Sequence, residues 1–101
     1  MSDLKTKCGE ILFDKNAKSF EFLAHPLRLK IVCTLSKLWK LPAWEIVKNL
    51  WVAQNLVSHH LWFLKKGDFL SSEKIWTFVY YTLNEEFFKE FKKDLKEVFK
   101  I

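Results

Sequence analysis

No apolar run in this chain approaches the ~20 residues that a membrane-spanning helix requires, so no segment reads as a transmembrane span. The opening residues, Met1-Ser2-Asp3-Leu4-Lys5, lack the hydrophobic stretch of a secretory signal. Cysteine is scarce as well: Cys8 and Cys33 are the two in 101 residues, which fits a reducing cytoplasm better than a disulfide framework. There is no glycine-rich loop to cradle a phosphate and no pair of carboxylates set to share a pocket. Ser58 stands next to His59, but neighbours on a helix point about 100° apart and no acid orients the imidazole. These absences argue against an enzyme. Neither repeats nor low-complexity linkers divide the chain, which is expected to form one domain over residues 1–101. Half of the residues are apolar and 17% are aromatic, a composition that excludes a disordered chain.

What is present is an uneven positive charge. The net charge is +5. From Asn84 onward five lysines balance five acidic residues, so the whole surplus lies in residues 1–83. A polyanion would be attracted to that part of the molecule. Its centre is the stretch 51–66. On a helical wheel Ala53, Val57, Leu61 and Leu64 share one side, with His60 on the edge and Leu56 and Phe63 widening it. Gln54, Asn55, Ser58, His59, Lys65 and Lys66 fall opposite. Amides, a hydroxyl and an imidazole suit hydrogen bonding to base edges, and the ammonium groups suit phosphates. The plain alternative is a solvated polar face.

Around this stretch the chain punctuates itself clearly. Residues 3–13 and 15–24 read as helical pieces, the first carrying Leu4, Cys8, Ile11 and Leu12 and the second burying Phe20 and Leu23. Pro26 suits the first turn of a new helix over 26–38, with Leu27, Ile31, Leu35 and Leu38 along one face and Leu29 and Cys33 roughly opposite. Lys40-Leu41-Pro42 reads as an extended connector, and 43–50 as a short helix with Ile46, Val47 and Leu50 inside. Trp51-Val52 turns into the helix at 53–66, and Gly67-Asp68 ends it. Residues 69–73 and 78–83 are rich in strand formers, and the spacing predicts a β-hairpin turning through Lys74-Ile75-Trp76-Thr77. Asn84 can cap a last helix whose Phe87, Phe88, Phe91, Leu95, Val98 and Phe99 form a broad apolar face. So much phenylalanine on a terminal helix asks for cover, from a second copy of the chain or from its own first helix. The expected fold is mainly α with a small β-hairpin wing, in the order α-α-α-α-β-β-α: a winged helix-turn-helix.

Three stretches, in order and at the right spacing, resemble the ArsR/SmtB family of repressors. They are 22–32 (FLAHPLRLKIV), 52–61 (VAQNLVSHHL) and 79–83 (VYYTL). The resemblance implies a homodimer clamped by helices within 1–24 and 84–101. It places helix-turn-helix 43–66 on a palindromic operator in double-stranded DNA, with wing 69–83 beside it. Carried over residue by residue, Gln54, Asn55, Ser58 and His59 become candidates for base or phosphate contact. Lys65, Lys66 and Lys74 become candidates for phosphate contact. His60 matches a family histidine and faces inward. The family's metal sites are not matched: the helix at 43–50 has no Cys-x-Cys pair and the last helix has no histidine. His25, His59 and His60 are expected on different faces, so no metal and no other cofactor is assigned. Cys33 matches the second-helix cysteine of relatives that sense oxidants or persulfides, and Cys8 is the other thiol available to pair with it. An oxidant, a persulfide or a thiophilic metal is therefore a candidate inducer, and two unrelated thiols are the alternative.

Five tryptophans depart from the pattern. Trp39, Trp51 and Trp76 occupy turns where the family carries glycine, which takes positive φ freely. Trp44 and Trp62 stand where glycine is common. Either one codon is read as glycine by the gene's own host and written here as tryptophan, or these tryptophans pack usefully. The function expected overall is a DNA-binding transcriptional repressor. A winged-helix protein-interaction module and a constitutive DNA binder without inducer sensing are the alternatives.

Overall fold

The computed structural model describes residues 10–99, with side chains described from Phe13 to Phe99. Five helices and three strands follow one another as α1 (Glu10–Leu23), α2 (Pro26–Leu38), β1 (Lys40–Pro42), α3 (Ala43–Leu50), α4 (Gln54–Lys66), β2 (Leu70–Ile75), β3 (Phe78–Leu83) and α5 (Glu85–Phe99). Cys8 and the first part of the expected helix at 3–13 lie outside the described residues. The remainder of the two expected helical pieces is one continuous helix, α1.

Local chemistry sets the boundaries. Pro26 opens α2, where its missing N–H costs no helical bond, and the His25 side chain accepts from the Leu27 N–H through Nδ1 at 3.1 Å. Asn84 caps α5: its Oδ1 accepts from the Phe87 N–H at 3.3 Å, with Glu85 and Glu86 in the dipole-favoured first turn. Gly67 ends α4, and a Cβ there would drive into the Phe22 side chain, so the absence of one lets α1 approach.

The connector 40–42 is a true strand. It pairs antiparallel with β3 (Leu41 opposite Tyr81) and completes a three-stranded sheet in the order β1-β3-β2. The hairpin is longer than the sequence suggests. Lys74 pairs with Val79 and Ile75 with Phe78, so the turn contracts to Trp76-Thr77.

Ile31, Leu35, Ile46, Val57, Leu61, Leu64 and Phe69 are the fully buried side chains, drawn from α2, α3, α4 and the entry to β2. Several expected inward residues are not inside: Phe20, Leu38, Ala53 and Leu56 are exposed. Leu29 and Cys33, opposite the α2 stripe, face water. On α5, Phe91 is buried while Phe87, Phe88 and Leu95 pack partly against the core. Its cover within the chain is α1: the Phe20 and Phe91 rings meet edge to face at 5.6 Å, and Lys15 Nζ reaches Glu90 at 2.8 Å and Asp94 at 3.2 Å. Phe13 and Phe99, in the same terminal helices, remain exposed. The molecule is elongated, 53 × 22 × 21 Å.

Candidate nucleic-acid interface

Helix α4 is built to be held from one side only. Val57, His60, Leu61 and Leu64 are its buried residues, and they recur at the three- and four-residue spacing of one helical face. Gln54, Asn55, Ser58, His59, Lys65 and Lys66 are all exposed, as the wheel places them. Leu56 joins that exposed side at the start of the helix, and Ala53 precedes the helix as its exposed N-cap. The helix contains no acidic residue. Its polar side thus offers donors and acceptors at the N-terminal end and two ammonium groups at the C-terminal end, with no carboxylate of its own to repel a phosphate.

Two neighbours frame this surface. Helix α3 packs against α4 through the three-residue turn Trp51-Val52-Ala53, with Trp51 in the left-handed region (φ 56°). On the other side β2 packs against α4 and carries exposed Lys74. Beside it Glu73 is drawn to Lys40 (2.9 Å), away from a free role on the wing.

Beneath the helix lies a cluster the sequence did not announce. Arg28 on α2 donates from Nε to His60 Nδ1 at 3.1 Å and from Nη1 to the Phe22 and Glu21 carbonyls at 3.3 and 3.4 Å. Its guanidinium also sits 4.4 Å from the Phe63 ring centroid. One side chain thereby ties the C-terminal end of α1 to α2 and α4. The clue was available: this is the single arginine among 17 cationic residues, and a planar fork with five donors suits such a role where lysine does not. The partners stand 32 residues apart in sequence, which no local pattern reveals.

His60 is 3% exposed. Burial holds its pKa below the ordinary value, and the His25, Arg28 and His59 charges push the same way. Since Arg28 always donates to Nδ1, the neutral ring carries its proton on Nε2, a buried atom with no hydrogen-bond partner among the described residues. Contrary to the expectation that the three histidines stand apart, their rings form a chain, His25 to His60 at 4.2 Å and His60 to His59 at 5.4 Å. The contact arises because His25, at the start of α2, folds back over the middle of α4. Among the described residues no group of three or more His, Cys, Asp or Glu is arranged to hold a metal ion.

Trp62 is exposed on α4 and lies 4.9 Å from Lys66 Nζ, so an indole and an ammonium share the far end of the helix. Cys33 is a free, exposed thiol on α2.

A helix pair with one polar face outward, flanked by a hairpin, defines a winged helix-turn-helix protein, a class that binds DNA. The model of the bacterial regulatory proteins of the arsR family matches residues 25–72, and over that stretch the chain is similar to that family of transcriptional regulators. Among solved structures it is similar to HlyU of Vibrio cholerae, at 25% identity and a TM-score of 0.75 over 92% of this chain and 100% of that one. It is also similar to the transcriptional repressor PagR of Bacillus anthracis, at 29% identity and a TM-score of 0.67 over 80% of this chain and 97% of the other. The transcriptional repressor BigR of Xylella fastidiosa shares the fold at 23% identity, with a TM-score of 0.72 over 89% and 91% of the two chains. No curated protein matches this chain. Among the described residues no helix is long and apolar enough to cross a membrane.

Proposed function

We propose that this chain is a cytoplasmic repressor that binds a palindromic operator as a homodimer. The observation that carries the reading is the outward side of α4, polar at one end, cationic at the other, and free of acidic residues. In this reading Gln54, Asn55, Ser58 and His59 meet base edges or phosphates in the major groove, where Gln and Asn can pair two-pronged with adenine. Lys65, Lys66 and Lys74 neutralise phosphates and set the register without reading sequence. The helices within 1–24 and 84–101 join two copies; exposed Phe13, Phe20 and Phe99 on α1 and α5 support that assignment, since apolar rings left in solvent call for cover.

Release is assigned to a thiol signal at Cys8 and Cys33. In the oxidant form of this signal two thiols give up two electrons and two protons, a peroxide accepts them and becomes water, and a disulfide forms. Support comes from the exposure of Cys33 and from the similarity (25% identity, TM-score 0.68) to a structure of reduced HlyU from Vibrio cholerae. Trp62 favours a second reading, a protein-interaction module that keeps the fold, because a large ring on the far end of α4 obstructs a close approach to a duplex.

Fluorescence anisotropy with duplex DNA separates the two. A repressor loses affinity steeply as salt rises, and Lys65→Gln and Lys66→Gln each make that slope shallower by about one. Association that ignores salt supports the interaction module. Repeating the titration after peroxide treatment, with Cys33→Ser as control, tests the thiol signal: oxidation weakens binding of the parent chain and leaves the variant unchanged.

A further inference from the structure

Four described residues other than glycine hold positive φ: Trp39 (70°), Trp51 (56°), Asp68 (69°) and Trp76 (61°). The described glycine, Gly67, has φ −85°. This is the reverse of what sterics favour. In the left-handed region Cβ crowds the following carbonyl, which glycine escapes and a short polar side chain such as Asp tolerates. A bulky residue there is an outlier.

Each of the three tryptophans stands where a chain ordinarily uses glycine. Trp39 ends α2, its N–H bonding back to the Leu35 carbonyl at 2.9 Å. Trp51 ends α3 in the same way, bonded to Val47 at 3.0 Å. The left-handed stop at Trp51 is commonly made by glycine, and Trp39, at φ 70° and ψ −64°, holds the rare, strained conformation of a γ-turn. Trp76 is the first residue of the two-residue turn between paired Ile75 and Phe78, and tight hairpin turns demand positive φ at that position. Little packing offsets the crowding, because the three residues are 65%, 92% and 89% exposed. Composition tells the same story. The chain has 2 glycines and 5 tryptophans, whereas glycine ordinarily makes up about 7% of a protein.

We infer that the protein as its own host makes it carries glycine at positions 39, 51 and 76, these three sharing one codon that the host reads as glycine and that is written here as tryptophan. Trp44 and Trp62 sit on helical backbone, where conformation gives no reason for glycine. The codon decides them: either one that shares it is glycine too.

Peptide mass mapping of the protein isolated from its host tests the assignment directly. The peptides spanning 39, 51 and 76 are each expected to be lighter than written by the indole-bearing side chain. Tryptophan in any of them overturns the inference. Recombinant protein gives an independent reading. Replacing all three together (W39G/W51G/W76G) is expected to raise the folding equilibrium constant at least about tenfold in urea titrations, as relief of three bulky side chains at positive φ requires. The helical control W44G is expected to lower it. A triple variant no more stable than the parent overturns the conformational argument.

Discussion

At the scale of single residues, Arg28 holds α4 in place. It spends two donor atoms, in three hydrogen bonds, and a ring contact on partners from α1 and α4, and lysine, with one compact ammonium, cannot reach them together. Arg28→Lys is therefore expected to cost about 1–3 kcal/mol, the scale of lost hydrogen bonds to a charged group, read as a lower urea midpoint with unchanged slope. An unaltered midpoint would show that the cluster is ornamental. Its partner His60 makes the fold sensitive to acid. The folded state holds His60 neutral, with a pKa below the ordinary 6.5, whereas the unfolded chain takes up a proton near that value. Below about pH 6.5 the unfolded state binds more protons, so stability is fully present above that pH and declines as pH falls toward the folded pKa. Melting curves between pH 7.5 and 5 should show this decline, and His60→Gln should flatten it. Neither role was legible from sequence. The inward face of His60 follows from helical period, but its bond to Arg28 joins residues that only the tertiary fold brings together.

At the scale of elements, the layer formed by α1 and α5 depends on aromatic edges. Phe91 is buried, with ring centroids of Phe69 at 5.3 Å, Phe20 at 5.6 Å and Phe88 at 6.4 Å. Phe91→Ala should cost about 3–5 kcal/mol, the usual range for removing a buried ring, checked by chemical denaturation. A loss below about 1 kcal/mol would mean that α5 is not anchored within its own chain. Element order was readable because each boundary carries its own chemistry: Pro26, Gly67 and Asn84 stand where helices begin, end or are capped. Faces were readable only in part. Period identifies which residues share a side, not how far neighbouring elements cover it, and so Phe20, Leu38 and Leu56 fall at the uncovered ends or rims of their stripes. The hairpin was placed short by two residues for a related reason. A two-residue turn is recognised by its glycine, and here the position with φ 61° is written as tryptophan.

At the scale of the whole molecule, the positive charge favours an anionic partner. The net +5 lies entirely in residues 1–83, the part of the chain that includes α4 and the wing, while the terminal helices leave Phe13, Phe20 and Phe99 in solvent. If those rings join two copies, Phe13→Glu paired with Phe99→Glu should convert a dimer into a monomer in sedimentation and weaken DNA binding with no loss of helix signal. A parent chain that sediments as a monomer at every concentration would remove the basis for two-fold operator symmetry. The exposure of Gln54, Asn55, Ser58, His59, Lys65 and Lys66 was legible from the period of α4. The surface that joins two copies was not, since an apolar terminal helix reads the same whether its cover is α1 or a second chain.

The most direct test of the central claim is to select bound duplexes from a random pool and sequence them. Two copies presenting α4 to successive major grooves should enrich a two-fold symmetric site with half-sites about 34 Å apart, and Gln54→Ala should relax the preference at defined positions within each half. A pool that stays random after selection at low salt, or a preference untouched by changes on the exposed face of α4, would contradict it.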